Sequence, residues 1–305
     1  MVVLVTGANG QLGQAIQSIS GKYPEIDFVF CSSSELDITN LENCQVVFDE
    51  FQPQFCINAA AYTAVDKAES EPAKAFDINA NGAENLAITC KKFNTILIHI
   101  STDFVFDAYF SEGIAYYDRE LRLPLKSNLG LTETDVPFPS GVYGLTKLQG
   151  EQAIQANWDK HFIIRTSWVY SQFGNNFMKT MLRLASERDT LSVVSDQIGT
   201  PTNAVDLAEV LIKIIESCHA ELISASNYGI YNFSNQGQCS WYDFAKEIFH
   251  QKGVSIDLKP IPTSAYPTPA KRPAYSVLDK TKIKRTFGVE IKEWQTSLAT
   301  CINQL

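Results

Sequence analysis

The chain has 305 residues, 45% of them hydrophobic, and a net charge of −9; that is enough apolar material for a sizeable core spread over about two domains or subdomains. The acidic balance, with no basic block or aromatic–basic interleaving, argues against a nucleic-acid partner, and no apolar run reaches the ~18 residues a membrane span needs. Seven scattered cysteines with no C-x-x-C pair, and four histidines without metal-ligand spacing, point to reduced thiols in a cytoplasmic protein and disfavour a metal centre.

Val2 to Thr6 is short, apolar and β-branched and reads as a buried strand, not as the start of a signal peptide. Gly7-Ala8-Asn9-Gly10-Gln11-Leu12-Gly13 follows, and Gln14 to Ser20 reads as a helix. Strand, glycine loop and helix form the context of a dinucleotide site: the glycines let backbone approach a pyrophosphate, and the helix N-terminus supplies N–H groups and positive dipole. The spacing here is G-x-x-G-x-x-G. Asp27 to Cys31 is the second strand, whose end meets the adenosine ribose; an acid there suits the 2′-hydroxyl of NAD, an arginine the 2′-phosphate of NADP. Cys31-Ser32-Ser33-Ser34 offers neither. A serine can bond a phosphate and no acid repels it, so the expected cofactor is NADPH, with NADH also usable. Asp37 and Ile38 fall where an adenine is held.

Gln54 to Ala59 reads as the third strand and runs into Ala60-Ala61-Tyr62-Thr63, small residues against which a cofactor can lie or a neighbour can pack. Asp66 to Asn85 reads as a long helix that Pro72 breaks or restarts; Asn79 and Asn85 on it are read mainly as ties between helix and sheet. Thr95 to Ile100, nearly all apolar, suits a parallel strand covered on both faces. It ends in Ser101-Thr102-Asp103, where a hydroxyl faces the ligand crevice of a doubly wound sheet. Thr102 there either donates to a substrate carbonyl or caps the next turn.

Tyr143-Gly144-Leu145-Thr146-Lys147 carries the chemistry. A tyrosine four residues before a lysine shares its helix face. A nearby ammonium favours the phenolate and lowers the tyrosine pKa, so the pair can act as a general acid or base at a carbonyl or alcohol. Further on, Phe162 to Val169 reads as a buried strand, Phe177 to Arg188 as a helix with Met178 and Met181 in the core, Ala204 to Glu216 as an apolar helix, Gly229 to Phe233 as the last strand, and Trp241 to His250 as an aromatic helix. Proline-rich Pro260 to Pro273 reads as an irregular surface segment. Its Lys271-Arg272 is a solvated charge or a fork for a diphosphate.

The glycine loop, the run from Asn58 to Glu69, Ser101-Thr102-Asp103 and Tyr143-x-x-x-Lys147 together resemble the extended short-chain dehydrogenase/reductases, and within them the dTDP-4-dehydrorhamnose reductase family. Arg165 to Tyr170, Asn175-Asn176-Phe177, Asp196-Gln197-x-Gly199-x-Pro201-Thr202 and Tyr266 to Pro273 extend the likeness along almost the whole chain. The resemblance implies an α/β protein: a Rossmann-type doubly wound parallel sheet with a smaller C-terminal α/β substrate domain. Residues 1–171 plus about 200–235 would form the NAD(P)-binding domain, and about 172–199 plus 236–305 the substrate domain.

It further implies that Tyr143 donates the proton, that Lys147 holds the nicotinamide ribose and tunes the tyrosine, and that Thr102 completes the triad. Gly7, Gly10, Gln11, Leu12, Gly13, Ser32, Asp37, Ile38, Ala60, Ala61, Tyr62 and Thr63 would line the cofactor with Tyr143 and Lys147; Thr102, Asp103, Trp168 and Arg272 would meet the sugar nucleotide. One departure stands out: where the family has a shorter loop beginning Asp-Gly, this chain has Asp107-Ala108 and a longer segment from Tyr109 to Leu131, which would border the substrate cleft. The implied reaction is NAD(P)H-dependent reduction of the C4 ketone of dTDP-4-dehydro-L-rhamnose. A reductase or epimerase of another nucleotide-linked 4-keto-6-deoxysugar, and a non-catalytic regulatory subunit of the same fold, are the alternatives. The expected ligand is a small nucleotide sugar, and a homodimer is compatible with this reading.

Overall fold

The computed structural model describes residues 1–109, 130–220 and 227–305. Six strands, β1 (Val2–Thr6), β2 (Asp27–Cys31), β3 (Phe55–Asn58), β4 (Ile96–Thr102), β5 (His161–Thr166) and β6 (Gly229–Asn232), form one sheet in the order β6-β5-β4-β3-β1-β2. Every pairing in it is parallel. Both faces are covered, which is why the strands read as nearly unbroken apolar runs. Alternate residues of β1 serve opposite sides: Val3 and Val5 pack with helices α1 (Gln11–Ser20) and α6 (Ala204–His219), and Leu4 with α2 (Leu41–Phe51) and α3 (Gly82–Phe93). The strand order reverses between β1 and β3, and in an open α/β sheet that switch point opens the ligand crevice at the carboxyl ends of the strands.

The stretch expected as one helix from Asp66 to Asn85 is more broken and longer. Val65–Ala68 forms one turn; Pro72 then starts a new helix at its first position, where a missing N–H is harmless and φ is already helical. It continues through a π-helical turn at Asp77–Asn81 into α3. Such a turn re-aims side chains locally. Here it carries Asn79, whose Oδ1 accepts from Tyr62 N–H at 2.9 Å and whose Nδ2 donates to Tyr62 O and Thr146 Oγ1, both at 3.2 Å. Asn85 donates to the carbonyls of Ile38 and Thr39 at 3.0 Å each. Both asparagines are structural ties, but to the segments that follow β3 and β2 and to Thr146, not to the sheet itself.

Tyr143 and Lys147 lie on α4 (Val142–Asn157), which packs against β4 and the Asp77–Asn81 turn. A third apolar cluster gathers Met178 and Met181 of α5 (Phe177–Glu187), Phe244 and Ile248 of α7 (Trp241–Lys252), and Leu298 and Ile302 of α8 (Trp294–Ile302). A parallel strand pair, Thr190–Val194 with Asp257–Ile261, borders it. This pair corrects two sequence expectations: β6 is not the last strand, and Pro260 lies in a strand instead of an irregular segment. A two-stranded ribbon is all edge, so the missing proline N–H forfeits no interior ladder bond. Ile283 and Phe287 pack into the cluster of the main sheet.

Candidate active site

A cavity of about 690 Å³ opens at the carboxyl ends of the strands. Gly10, Gln11, Leu12, Ala61, Thr63, Thr102, Asp103, Tyr143, Lys147, Trp168 and Arg272, all singled out from sequence, line it. Gly7 and Gly13 lie behind, where they shape the loop. Gly7 has φ +65, and a Cβ there would meet Ala60 N at 2.7 Å; a Cβ on Gly13 would meet Gly7 O at 2.5 Å. The loop therefore lies tight against the end of β3. Among the described residues no side chain caps the first turn of α1, so its N–H groups are available to an anion.

The tyrosine–lysine helix is held from three sides. Glu69 accepts from Val142 N–H at 2.9 Å, placing a carboxylate at the positive end of α4. Asn79 holds Thr146, and the absence of a side chain at Gly144 lets the helix lie against Phe104 O. The Tyr143 ring meets Phe104 edge-on, centroids 5.4 Å apart. Lys147 is 1% exposed, and its Nζ donates to Ile100 O at 2.7 Å and lies 3.2 Å from His99 Nε2.

This geometry corrects the expected electrostatics. Burial pushes the Tyr143 phenol up to about 12; the Thr102 hydroxyl pulls back, and the Asp103 charge raises it further. Lys147 is brought down to about 8 by burial, against the opposing pull of Glu151. The ammonium is engaged by Ile100 O and does not draw the phenol down. Tyr143 thus stays protonated at neutral pH, the form a proton donor requires. Thr102 meets its turn-capping reading: it faces Tyr143, and its Oγ1 accepts from Phe104 N–H at 3.2 Å and donates to Asp103 Oδ1 at 3.1 Å.

Other expected ligand residues sit elsewhere. The Tyr62 side chain does not line the cavity; its hydroxyl donates to Glu71 at 2.7 Å and its ring packs with Ala68 and Ala75. Ala60 gives its N–H to Asn58 Oδ1 and Thr6 Oγ1. Asp37 is exposed and its carboxylate closes a turn on Thr39, while Ile38 is buried against Gly82. Ser32 lies beside the glycine loop, where Ala8 N–H donates to Cys31 O. Its N–H and hydroxyl, however, both go to Glu35 Oε2 at 2.7 Å. An acid, Glu35, does stand near the end of β2, one residue past the run in which it was sought. Those bonds hold its carboxyl below the usual range.

Arg272 is neither a solvated charge nor an open fork. It makes a bidentate pair with Asp66, Nη1 to Oδ1 at 3.0 Å and Nη2 to Oδ2 at 2.7 Å, pinning the Tyr266–Pro273 segment to the cavity wall. Trp168 adopts a left-handed conformation, φ 47, unusual for a bulky residue, and stacks on Trp241 with centroids 3.6 Å apart and planes at 11°. Trp241, Phe177 and Asn176 also line the cavity. Asn176 caps α5 and donates to Gln11 Oε1 at 2.9 Å, joining the glycine-loop helix to α5. Asn176's place before an apolar helix was a readable cap signal; the partnership with Gln11, 165 positions away, was not. The expected border segment, 109–131, lies mostly outside the described residues. Among the described residues no group of three or more His, Cys, Asp or Glu could hold a metal ion, and no helix is long and apolar enough to cross a membrane.

Comparison with known proteins agrees along the whole chain. The model of the family described as RmlD substrate binding domain matches residues 1–305. A dTDP-4-dehydrorhamnose reductase of Aggregatibacter actinomycetemcomitans is 42% identical, with 97% of this chain and 96% of the relative covered. Among solved structures, a dTDP-4-dehydrorhamnose reductase of Clostridium acetobutylicum is 40% identical with a TM-score of 0.88, covering 100% of this chain and 99% of that one. One from Bacillus anthracis, in complex with NADP, is 38% identical with a TM-score of 0.86, covering 100% and 99%.

Proposed function

The chain belongs to the dTDP-4-dehydrorhamnose reductase family, and from that membership we propose how its own residues carry the reaction. The protein is an NADPH-dependent oxidoreductase of dTDP-rhamnose biosynthesis. Its substrate is a nucleotide sugar, dTDP-4-dehydro-L-rhamnose, whose C4 ketone becomes the alcohol of dTDP-L-rhamnose. The observation that carries the site assignment is that Tyr143 and Lys147 line the same cavity as the first turn of α1.

The residues present fit a dinucleotide: the uncapped turn Gln11-Leu12-Gly13 would face a pyrophosphate, and Gly7 and Gly13 let the loop that presents it lie tight against the end of β3. Bound NADPH supplies the hydride that reaches C4. Tyr143 supplies the proton; an alkoxide is a far stronger base than a phenolate, so even a phenol near 12 gives its proton up. Tyr143 and Thr102 together stabilise the developing oxyanion, which requires Thr102 to turn its hydroxyl from Asp103 to the substrate. Lys147 orients the cofactor ribose, and Trp168 and Trp241 wall the sugar side. Residues 1–171 with about 200–235 hold the cofactor, and about 172–199 with 236–305 hold the nucleotide sugar. Seven free thiols support a cytoplasmic setting.

A panel of nucleotide 4-keto-6-deoxysugars, tested with NADPH and NADH with product stereochemistry read by NMR, tests this function. Turnover on dTDP-4-dehydro-L-rhamnose with net NADPH consumption is expected; conversion without net consumption would make the protein an epimerase. Glu35 sharpens the cofactor prediction. Its carboxylate occupies Ser32 and repels a 2′-phosphate, so Glu35→Ala should tighten NADPH binding several-fold and leave NADH nearly unchanged. The gain should fade with added salt, because the charge is exposed and screened. Equal effects on both cofactors by titration calorimetry would remove Glu35 from the specificity of the site.

A further inference from the structure

Behind Lys147 a row of buried polar side chains crosses the sheet. Thr6, Asn58, His99 and Lys147 are each at most 1% exposed and lie on β1, β3, β4 and α4 in turn. Thr6 Oγ1 donates to Asn58 Oδ1 at 2.7 Å, Asn58 Nδ2 lies 2.9 Å from His99 Nδ1, and His99 Nε2 lies 3.2 Å from Lys147 Nζ. Nothing in the reductase reaction as described uses the first three.

The proton positions follow from the partners. Ala60 N–H can only donate, and it donates to Asn58 Oδ1 at 3.2 Å. That fixes the amide with its oxygen toward β1 and its NH₂ toward the histidine. Asn58 Nδ2 can only donate as well, so His99 Nδ1 accepts. Burial first, then the Lys147 charge, holds His99 well below its usual range, so the ring is neutral. A neutral imidazole carries one proton; with Nδ1 accepting, that proton sits on Nε2 and points at Lys147 Nζ. The contact is a good hydrogen bond when Lys147 is an amine and a donor–donor clash when it is an ammonium. Reduction makes this useful: each turnover takes a proton from Tyr143, which must be replaced, and a lysine that readily gives up its proton can replace it.

We propose that His99, oriented by Asn58 and Thr6, is a positioning residue for the reduction, presenting its Nε2–H to Lys147 so that the lysine cycles between ammonium and amine near neutral pH. In the step concerned one N–H bond of the Lys147 ammonium breaks, its proton passes toward the Tyr143 phenolate to form the O–H bond, and the freed lone pair on Nζ accepts from His99 Nε2–H. Solvent protons restore the ammonium. Other groups around Lys147 leave room for this control. Glu151, one turn on along α4, shares its charge with Arg165 of β5; Asp103 after β4 lies beside Tyr143; the Asp77–Asn81 turn packs on α4 through the uncharged Asn79.

The inference rests on the role proposed for Lys147, and two readouts separate them. In protein labelled with ¹⁵N-histidine, with and without NADPH, the His99 nitrogen shifts should report a protonated Nε2 and a bare Nδ1. A protonated Nδ1 would overturn the proposal whether or not Lys147 takes part in catalysis. Asn58→Asp accepts from His99 Nδ1–H and reverses the tautomer; His99→Gln can turn its carbonyl to Lys147. In either folded variant Lys147 keeps its proton to higher pH, so the alkaline fall of kcat/KM, expected near pH 8 in the parent, should move up by about one pH unit. An unmoved limb in an active, folded variant contradicts the proposal. Undiminished activity of Lys147→Met would instead remove the role of the lysine and leave the tautomer result standing.

Discussion

Tyr143→Phe should lose roughly 10²–10⁴-fold in kcat while its NADPH affinity and unfolding midpoint stay close to the parent. The ring packs on Phe104 through its edge, and phenylalanine keeps that contact. What disappears is the O–H that faces Thr102 and the only phenol on the cavity side of α4. The position of the phenol pKa gives the loss a second signature. At about 12 the phenol is protonated throughout the working range, so the alkaline fall expected near pH 8 is assigned to Lys147, and because that lysine acts by returning a proton to Tyr143, the residual activity of Tyr143→Phe should lose this limb. A variant retaining more than about a tenth of parental kcat would show that another group protonates the alkoxide.

Glu151→Leu should destabilise the protein by about 3–5 kcal/mol. Glu151 and Arg165 are each 1% exposed, with Nη2–Oε2 at 2.6 Å and Nε–Oε1 at 2.9 Å; Ser101 donates to the same carboxylate at 2.5 Å. The guanidinium also lies 4.9 Å from the Phe106 ring centroid, and among the described residues its Nη1 has no hydrogen-bond partner. Removing the carboxylate strands a cation in the core, and the loss should appear as a lower urea midpoint with little change in slope. Replacing both partners, Glu151→Leu with Arg165→Met, should recover much of the stability, since burying an ion pair costs desolvation that apolar packing avoids. A single-variant loss below about 1 kcal/mol would mean that water reaches the pair.

The link to function is direct. Glu151 is the carboxylate that opposes the lowering of the Lys147 pKa, so the stable double variant should show its alkaline limb shifted down. Stability and proton supply are thus coupled through one helix. Lys147 and Glu151 stand one turn apart on α4, where the first meets the cavity and the second the core.

The features legible in sequence were those set by local pattern. Val2–Thr6, the glycine loop and α1 could be placed because strand, turn and helix N-terminus follow one another within twenty residues. Tyr143 and Lys147 could be paired because four residues make one helical turn. Side chains just beyond strand ends were harder. Tyr62 and Ile38 turn away from the cavity because α3 and its π-turn bind their backbones through Asn79 and Asn85, a contact no periodicity announces. Glu35 was missed because a carboxylate at i+3 folds back on Ser32, placing an acid where the linear sequence has a hydroxyl. Asp66 and Arg272 are separated by 206 positions, His99 and Lys147 by 48; the lysine looked like a free ammonium beside the tyrosine until the fold supplied its partners.

The central claim is that this cavity directs a hydride from the cofactor to C4 of the sugar while Tyr143 protonates its oxygen. Turnover of dTDP-4-dehydro-L-rhamnose with NADPH deuterated at the transferable nicotinamide position tests it most directly. The account predicts deuterium at C4 of dTDP-L-rhamnose, mole for mole with loss of the reduced-nicotinamide absorbance. Label remaining in the cofactor while the sugar is converted, or appearing at any other carbon, would contradict it.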